Sequence, residues 1–213
     1  MEPDKILENT KKFIQDFYKN EFSGHDYFHT MRVYKMATRI AKTENADVFI
    51  VQMAALLHDV DDDKLPGSGY NAINFLRSQN LSEEIIGKIM YIIENQSFRN
   101  SIGGKQKLET LEAKVVQDAD RLDGIGAIGI ARTFAYGGNK NRKIHNPERK
   151  PMEYQSKEEY HQSDNTSINH FYEKLLKLKD MMNTETAKKI AESRHEFMEK
   201  FLREFFAEWD GEK

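Results

Sequence analysis

The chain has 213 residues, with 32 Lys plus Arg against 35 Asp plus Glu, a net charge of −3, and no cysteine. These totals suit one large domain, or two small ones at most, with enough chain to bury a core. They exclude disulfide and thiolate chemistry and lack the basic excess of a duplex nucleic-acid binder. No apolar run approaches the roughly 20 residues of a membrane helix, and "MEPDKILENTKKF" has no signal-peptide core, so a cytoplasmic protein is expected.

In chain order, Ile6, Phe13, Phe17 and Phe22 mark a first amphipathic helix. Val33, Met36, Ala37 and Ile40 mark a second, running to about Thr43. "ADVFIVQMAALLHDV" is apolar on most sides and predicts a central buried helix. "PGSGY" (66–70) breaks the chain. "NAINFLRSQ" and "SEEIIGKIMYIIEN" predict two more helices, the second capped by Ser82 with Glu83 and Glu84 in its first turn. "LEAKVVQDADRLDGIGAIGIARTFAYGG" predicts one long helix closed by a glycine pair. The polar stretch from about 137 to 166 predicts a long mobile loop or lid. Two long helices, about 167–182 and 184–209, end an all-α chain.

The central helix aims straight into polar residues: His58 and Asp59, then Asp61, Asp62 and Asp63. Upstream, "SGHDYFHTMRV" sets His25 and His29 at the head of the second helix. Downstream, "VVQDADRLD" sets Asp118, Asp120 and Asp123 in an otherwise apolar helix. Carboxylates packed in a core are costly unless a cation or hydrogen bonds compensate them. A metal compensates several at once, and imidazole with carboxylate suits Mn, Fe, Co, Ni or Zn, with Mg admissible.

The pieces "HTMRV", "LLHDV" and "DADRLD" together resemble the HD-domain metal-dependent phosphohydrolase superfamily, over residues of about 20 to 135. The resemblance implies a helical bundle that hydrolyses phosphate esters or anhydrides, often of nucleotides. It implies one divalent metal on His29, His58, Asp59 and Asp120, with Asp120 taken rather than Asp118 because it lies between Ala119 and Arg121. Residues 60–119 contain no histidine, which favours one metal over the two that some branches hold unless Asp62, Asp63 or Glu94 supplies a bridge. Comparison with the alarmone hydrolases of the same superfamily points to Asp62 as the residue that orients the attacking water.

The remaining candidates carry two readings each. Arg32 lies one turn after His29; it is a phosphate ligand or an anchor for Asp59 or Asp120. Lys64 holds phosphate or is an exposed lysine. His25 lines the pocket or lies on the surface. Arg132 is a further candidate for neutralising phosphate charge. His170 and Lys174 share a helix face that closes over substrate or packs in the core. Asp118 and Asp123 read as ion-pair partners. "GIGAIG" (124–129) matches G-x-G-x-x-G, but helical patterns flank it, so a dinucleotide site is rejected in favour of close helix approach. The basic run 140–150 reads as a solvated loop or as a region that steers polyanions.

Two functions follow. The first is a metal-dependent phosphohydrolase of nucleotides or related phosphates, with triphosphate cleavage to monophosphate and pyrophosphate among its forms. The second is a non-catalytic, metal-containing nucleotide-binding or sensor module. The intact set of four ligand positions favours the enzyme.

Overall fold

The computed structural model describes residues 2–19, 26–61, 70–96, 108–153 and 165–213, and among these it is helical with no strand. The helices are α1 (Pro3–Phe17), α2 (Tyr27–Glu44), α3 (Val48–Leu57), α4 (Asn71–Ser78), α5 (Glu83–Asn95), α6 (Leu111–Asp123), α7 (Gly126–Asn139), α8 (Ser167–Glu173) and α9 (Glu185–Trp209), with a 3₁₀ helix over Leu175–Met181 between the last two. None of them is long and apolar enough to cross a membrane. The chain divides into two compact units, 1–119 and 120–213, and α6 runs unbroken through the division.

The first unit is built around α3, which packs against α1, α2 and α5. Seven of its ten residues are buried, from Ile50 to Leu57, so it is the central helix, apolar on most sides, that the sequence predicts. Asp47 starts it by accepting from the backbone N–H groups of Phe49 (3.0 Å) and Ile50 (3.1 Å). Asn45, in the left-handed conformation at φ 59°, ends α2 and turns the chain into that start. Ser82 caps α5 as its sequence suggested, accepting from Ile85 N–H. Stacked Phe13 and Phe75, 4.4 Å apart, join α1 to α4.

In the second unit, the single long helix expected over 111–138 is two, α6 and α7. Between them Gly126 adopts φ +75°, which L residues with a side chain rarely reach. A Cβ at Gly129 would strike the Gly124 carbonyl, so the small residues of "GIGAIG" let the chain fold over its own turn. The helix expected over 167–182 is also broken: α8 stops at Glu173 and the chain tightens into the 3₁₀ helix from Leu175. Phe171 is fully buried against Phe134 and Phe201, with centroids 6.1 and 5.8 Å away.

The described part of the segment expected to be a mobile loop, 140–153, is tied down. The first N–H groups of α8, on Ser167 and Ile168, donate to the carbonyls of Lys143 and Ile144, both at 3.0 Å. The buried Asn169 amide donates to Arg149 O at 2.9 Å and to Asn165 Oδ1 at 2.8 Å. Met152 N–H donates to the buried Glu173 carboxylate at 3.0 Å, which Asn165 also reaches. Polar composition here satisfies backbone groups rather than leaving them to solvent.

Part of His170 stays accessible, yet its imidazole is enclosed. Burial first, then the charges of Lys174 and Arg142, push its pKa down to about 3 from 6.5. Above pH 6.5 the folded and unfolded chains are both neutral at this ring. As pH falls, the unfolded chain takes up a proton that folded His170 refuses. Its contribution to stability is therefore intact above about pH 6.5 and lost progressively toward pH 3, at up to about 1.4 kcal/mol per pH unit. His170→Gln is expected to flatten that part of the pH–stability profile in urea denaturation. A variant profile parallel to wild type below pH 6 would contradict this assignment.

Candidate metal centre

Three side chains of the first unit converge on one point. Asp26 caps α2 by accepting from His29 N–H at 2.7 Å, which seats His29 in the first turn of that helix. The apolar length of α3 delivers His58 at its C-cap, in αR geometry, with Asp59 next along the chain. His29, His58 and Asp59 are 0%, 4% and 7% exposed. Charged and hydrogen-bonding groups this deep require a partner.

The three side chains lie within contact distance of one another. His58 Nε2 stands 3.3 Å from His29 Nε2 and 3.2 Å from Asp59 Oδ2, and His29 Nε2 stands 3.4 Å from the same oxygen. The Ala55 carbonyl, which can only accept, lies 2.9 Å from His58 Nδ1, so Nδ1 carries the proton and the Nε2 lone pair of the neutral ring faces the other two atoms. Neighbouring ligands of a first-row metal, each about 2.0–2.2 Å from it, lie roughly 3.0–3.5 Å apart in octahedral or tetrahedral arrangements. Three buried ligand atoms at 3.2–3.4 Å fit such an ion.

Asp120 follows Ala119 on the unbroken α6. That helix is tied into the first unit by Gln117, whose Nε2 donates to Gln96 O at 3.1 Å, and by Glu112, which accepts from Asp47 N–H at 3.0 Å. The Asp120 side chain is half-buried.

The turn after α3 is braced on its carbonyl side. Gln96 Nε2 donates to His58 O at 3.4 Å, and Asn71 Nδ2 donates to Val60 O at 3.1 Å. The Asp61 carboxylate accepts from Asn71 N–H (2.8 Å) and Ala72 N–H (3.1 Å). Tyr70, at the N-cap of α4, supplies no side-chain cap, so Asp61 caps this helix from ten residues upstream. The sequence marks Asp61 only as part of the acidic run and does not mark Gln96 or Asn71, because their partners lie in other elements.

Of the other candidates, Arg32 is half-buried on α2, one turn beyond His29. Arg132, read as a phosphate ligand, donates to Asp123 Oδ2 at 2.8 Å, which bears out Asp123 as an ion-pair partner and gives Arg132 a structural task. Arg121 and Arg194 donate to the carbonyls of Met181 and Leu122, at the ends of the 3₁₀ helix and α6. Asp118 is fully buried. His25, Asp62, Asp63 and Lys64 lie outside the described residues.

The chain matches the model of the HD domain over residues 26–125. It is 40% identical over 206 residues to protein YpgQ of Bacillus subtilis, covering 94% of this chain and 92% of that one. A crystal structure from Lactobacillus plantarum superposes with a TM-score of 0.90 at 42% identity, over 99% of this chain and all of the other. An HD-superfamily hydrolase from Bacillus thuringiensis superposes with a TM-score of 0.77 at 41% identity, covering 98% and 99%. The structure of YpgQ in complex with ADP superposes at 0.78 with 36% identity, covering 96% and 95%.

Asp61→Ala is expected to uncap α4 and lower stability in urea denaturation by about 1 kcal/mol, the usual loss for a helix cap. An unchanged midpoint would show that water replaces the carboxylate at no cost.

Proposed function

The chain belongs to the HD-domain family, and on that premise we propose that it is a metal-dependent phosphohydrolase acting on nucleotides or related phosphate compounds. The observation that carries the proposal is the buried convergence of His29 Nε2, His58 Nε2 and Asp59 Oδ2 at 3.2–3.4 Å. The fold is that of HD-superfamily hydrolases. That its relative YpgQ crystallised with ADP supports a nucleotide substrate.

In this reading His29, His58, Asp59 and Asp120 hold one divalent ion. When bound, such an ion polarises a phosphoryl oxygen and acidifies water. The chain supplies the rest. Ala55 O holds the His58 ring in the tautomer whose Nε2 is a ligand. Asp62 orients the attacking water and accepts its proton. Arg32, Lys64 and His25 neutralise and position the phosphate oxygens. Arg132, which donates to Asp123 Oδ2 at 2.8 Å, is the further candidate for neutralising phosphate charge.

The test is a panel of nucleotides and phosphoesters assayed with Mn²⁺, Mg²⁺, Co²⁺ and Ni²⁺, with products resolved by chromatography. Metal-dependent release of phosphate or pyrophosphate is expected, and the product separates monophosphatase from triphosphate pyrophosphohydrolase. Asp59→Ala should lose the metal. Asp62→Asn should keep it and turn over about 10²–10⁴-fold more slowly, the range for a positioned acid–base group. Metal bound by wild type with no turnover across the panel would overturn the enzymatic reading in favour of a sensor module. Metal retained at full occupancy by Asp59→Ala would overturn the ligand set.

A further inference from the structure

The Gln96 side chain is a buried polar group that the proposed chemistry does not use. It is 5% exposed at the C-cap of α5. Its amide has one orientation that the surroundings permit, because the His58 carbonyl 3.4 Å away can only accept, so the NH₂ end faces it. The other end, Oε1, is then buried and has no hydrogen-bond partner among the described residues. A buried acceptor left unsatisfied destabilises a fold, and few remain in native structures. An apolar side chain of the same length would remove the unsatisfied Oε1 but also the donor to the His58 carbonyl, so the two losses offset each other in stability.

What Gln96 holds explains its place. The His58 carbonyl belongs to the peptide that joins His58 to Asp59, two adjacent ligand residues in the proposed centre. Gln96 is itself fixed at both backbone groups. Its N–H donates to Ile92 O at 2.9 Å, and its carbonyl accepts from Gln117 Nε2 at 3.1 Å. Gln117 is 3% exposed and stands on α6, three residues before Asp120. A continuous hydrogen-bonded chain thus runs from α6 through the end of α5 to the peptide between the two ligands. The His58 ring is fixed separately, by Ala55 O.

We infer that Gln96, backed by Gln117, is a positioning residue that sets the orientation of the His58–Asp59 peptide and so the spacing of the His58 and Asp59 ligand atoms. This rests on the metal-centre reading above. Outer partners of metal ligands typically change metal affinity 10–100-fold when removed. Here the signature is a separation of two properties. Gln96→Met keeps the length of the side chain, deletes the donor to His58 O and also deletes the unsatisfied Oε1. Metal affinity should fall while the fold holds or gains stability.

The experiment is Co²⁺ titration of the metal-free full chain, read by the visible ligand-field bands and by competition with a chelating indicator. Thermal midpoints of the metal-free proteins are measured alongside. Gln96→Met is expected to bind Co²⁺ about 10–100-fold more weakly with shifted bands, at an unchanged or higher midpoint. Gln117→Met, which leaves Gln96 in place but removes its support, should shift the bands in the same direction. Ile89→Val, a core change on the same helix, should lower the midpoint and leave the Co²⁺ bands and affinity as in wild type. Wild-type affinity and bands in Gln96→Met would overturn the inference, as would a lowered midpoint with Co²⁺ binding intact. Failure of wild type itself to bind Co²⁺ would overturn the metal-centre reading, and the inference with it.

Discussion

The described part of the first unit is organised around one constraint: three polar atoms, two imidazole nitrogens and a carboxylate oxygen, held 3.2–3.4 Å apart where water scarcely reaches. Taking such groups out of water is expensive, and without a shared cation or proton the lone pairs that face one another repel. The surrounding structure therefore has to impose the arrangement. It does so with a helix whose apolar faces leave it no position but the centre of the unit. That helix ends at His58, and the turn after it is held by donors to the His58 and Val60 carbonyls. The acidic run beyond the helix then separates by task. Asp59 faces the histidines and Asp61 caps α4.

Local signals carried the reading wherever a residue's partner lay within a turn or two. The caps at Ser82 and the buried period of α3 are of this kind, and both are where the sequence placed them. The pairing of His29 with His58–Asp59 was legible only through the spacing of a known family's motifs, since 29 residues separate the two histidines. What was hidden has long-range causes. The break between α6 and α7 depends on Gly126 reaching φ +75° and on the chain passing over Gly124, and periodicity does not encode either. The 3₁₀ stretch keeps helical spacing well enough to pass for helix. Gln96, Gln117 and Asn71 look like ordinary surface polar residues, and Asp61 like one more member of the acidic run, until their distant partners are known.

The second unit shows the same economy of polar residues. Its segment 140–153 reads as solvated loop by composition, yet Asn165, Asn169 and Glu173 of the α8 region satisfy its backbone groups from within. Two arginines, Arg121 and Arg194, donate to carbonyls at helix ends, and the Leu122 carbonyl that Arg194 reaches also accepts from Ile125 N–H at 3.3 Å. His170 is enclosed between cationic neighbours and stays neutral at ordinary pH. In both units, then, most buried polar side chains serve the backbone, and the trio at the end of α3 stands out because its atoms face each other instead.

The central claim is that His29, His58 and Asp59 share a metal ion. Diffraction from crystals grown with Mn²⁺, recorded at the manganese absorption edge, tests it directly. The account predicts one strong anomalous peak per chain, about 2.0–2.3 Å from His29 Nε2, His58 Nε2 and an Asp59 carboxylate oxygen. No peak there, with the two imidazoles joined through a proton and manganese bound elsewhere or not at all, would contradict it.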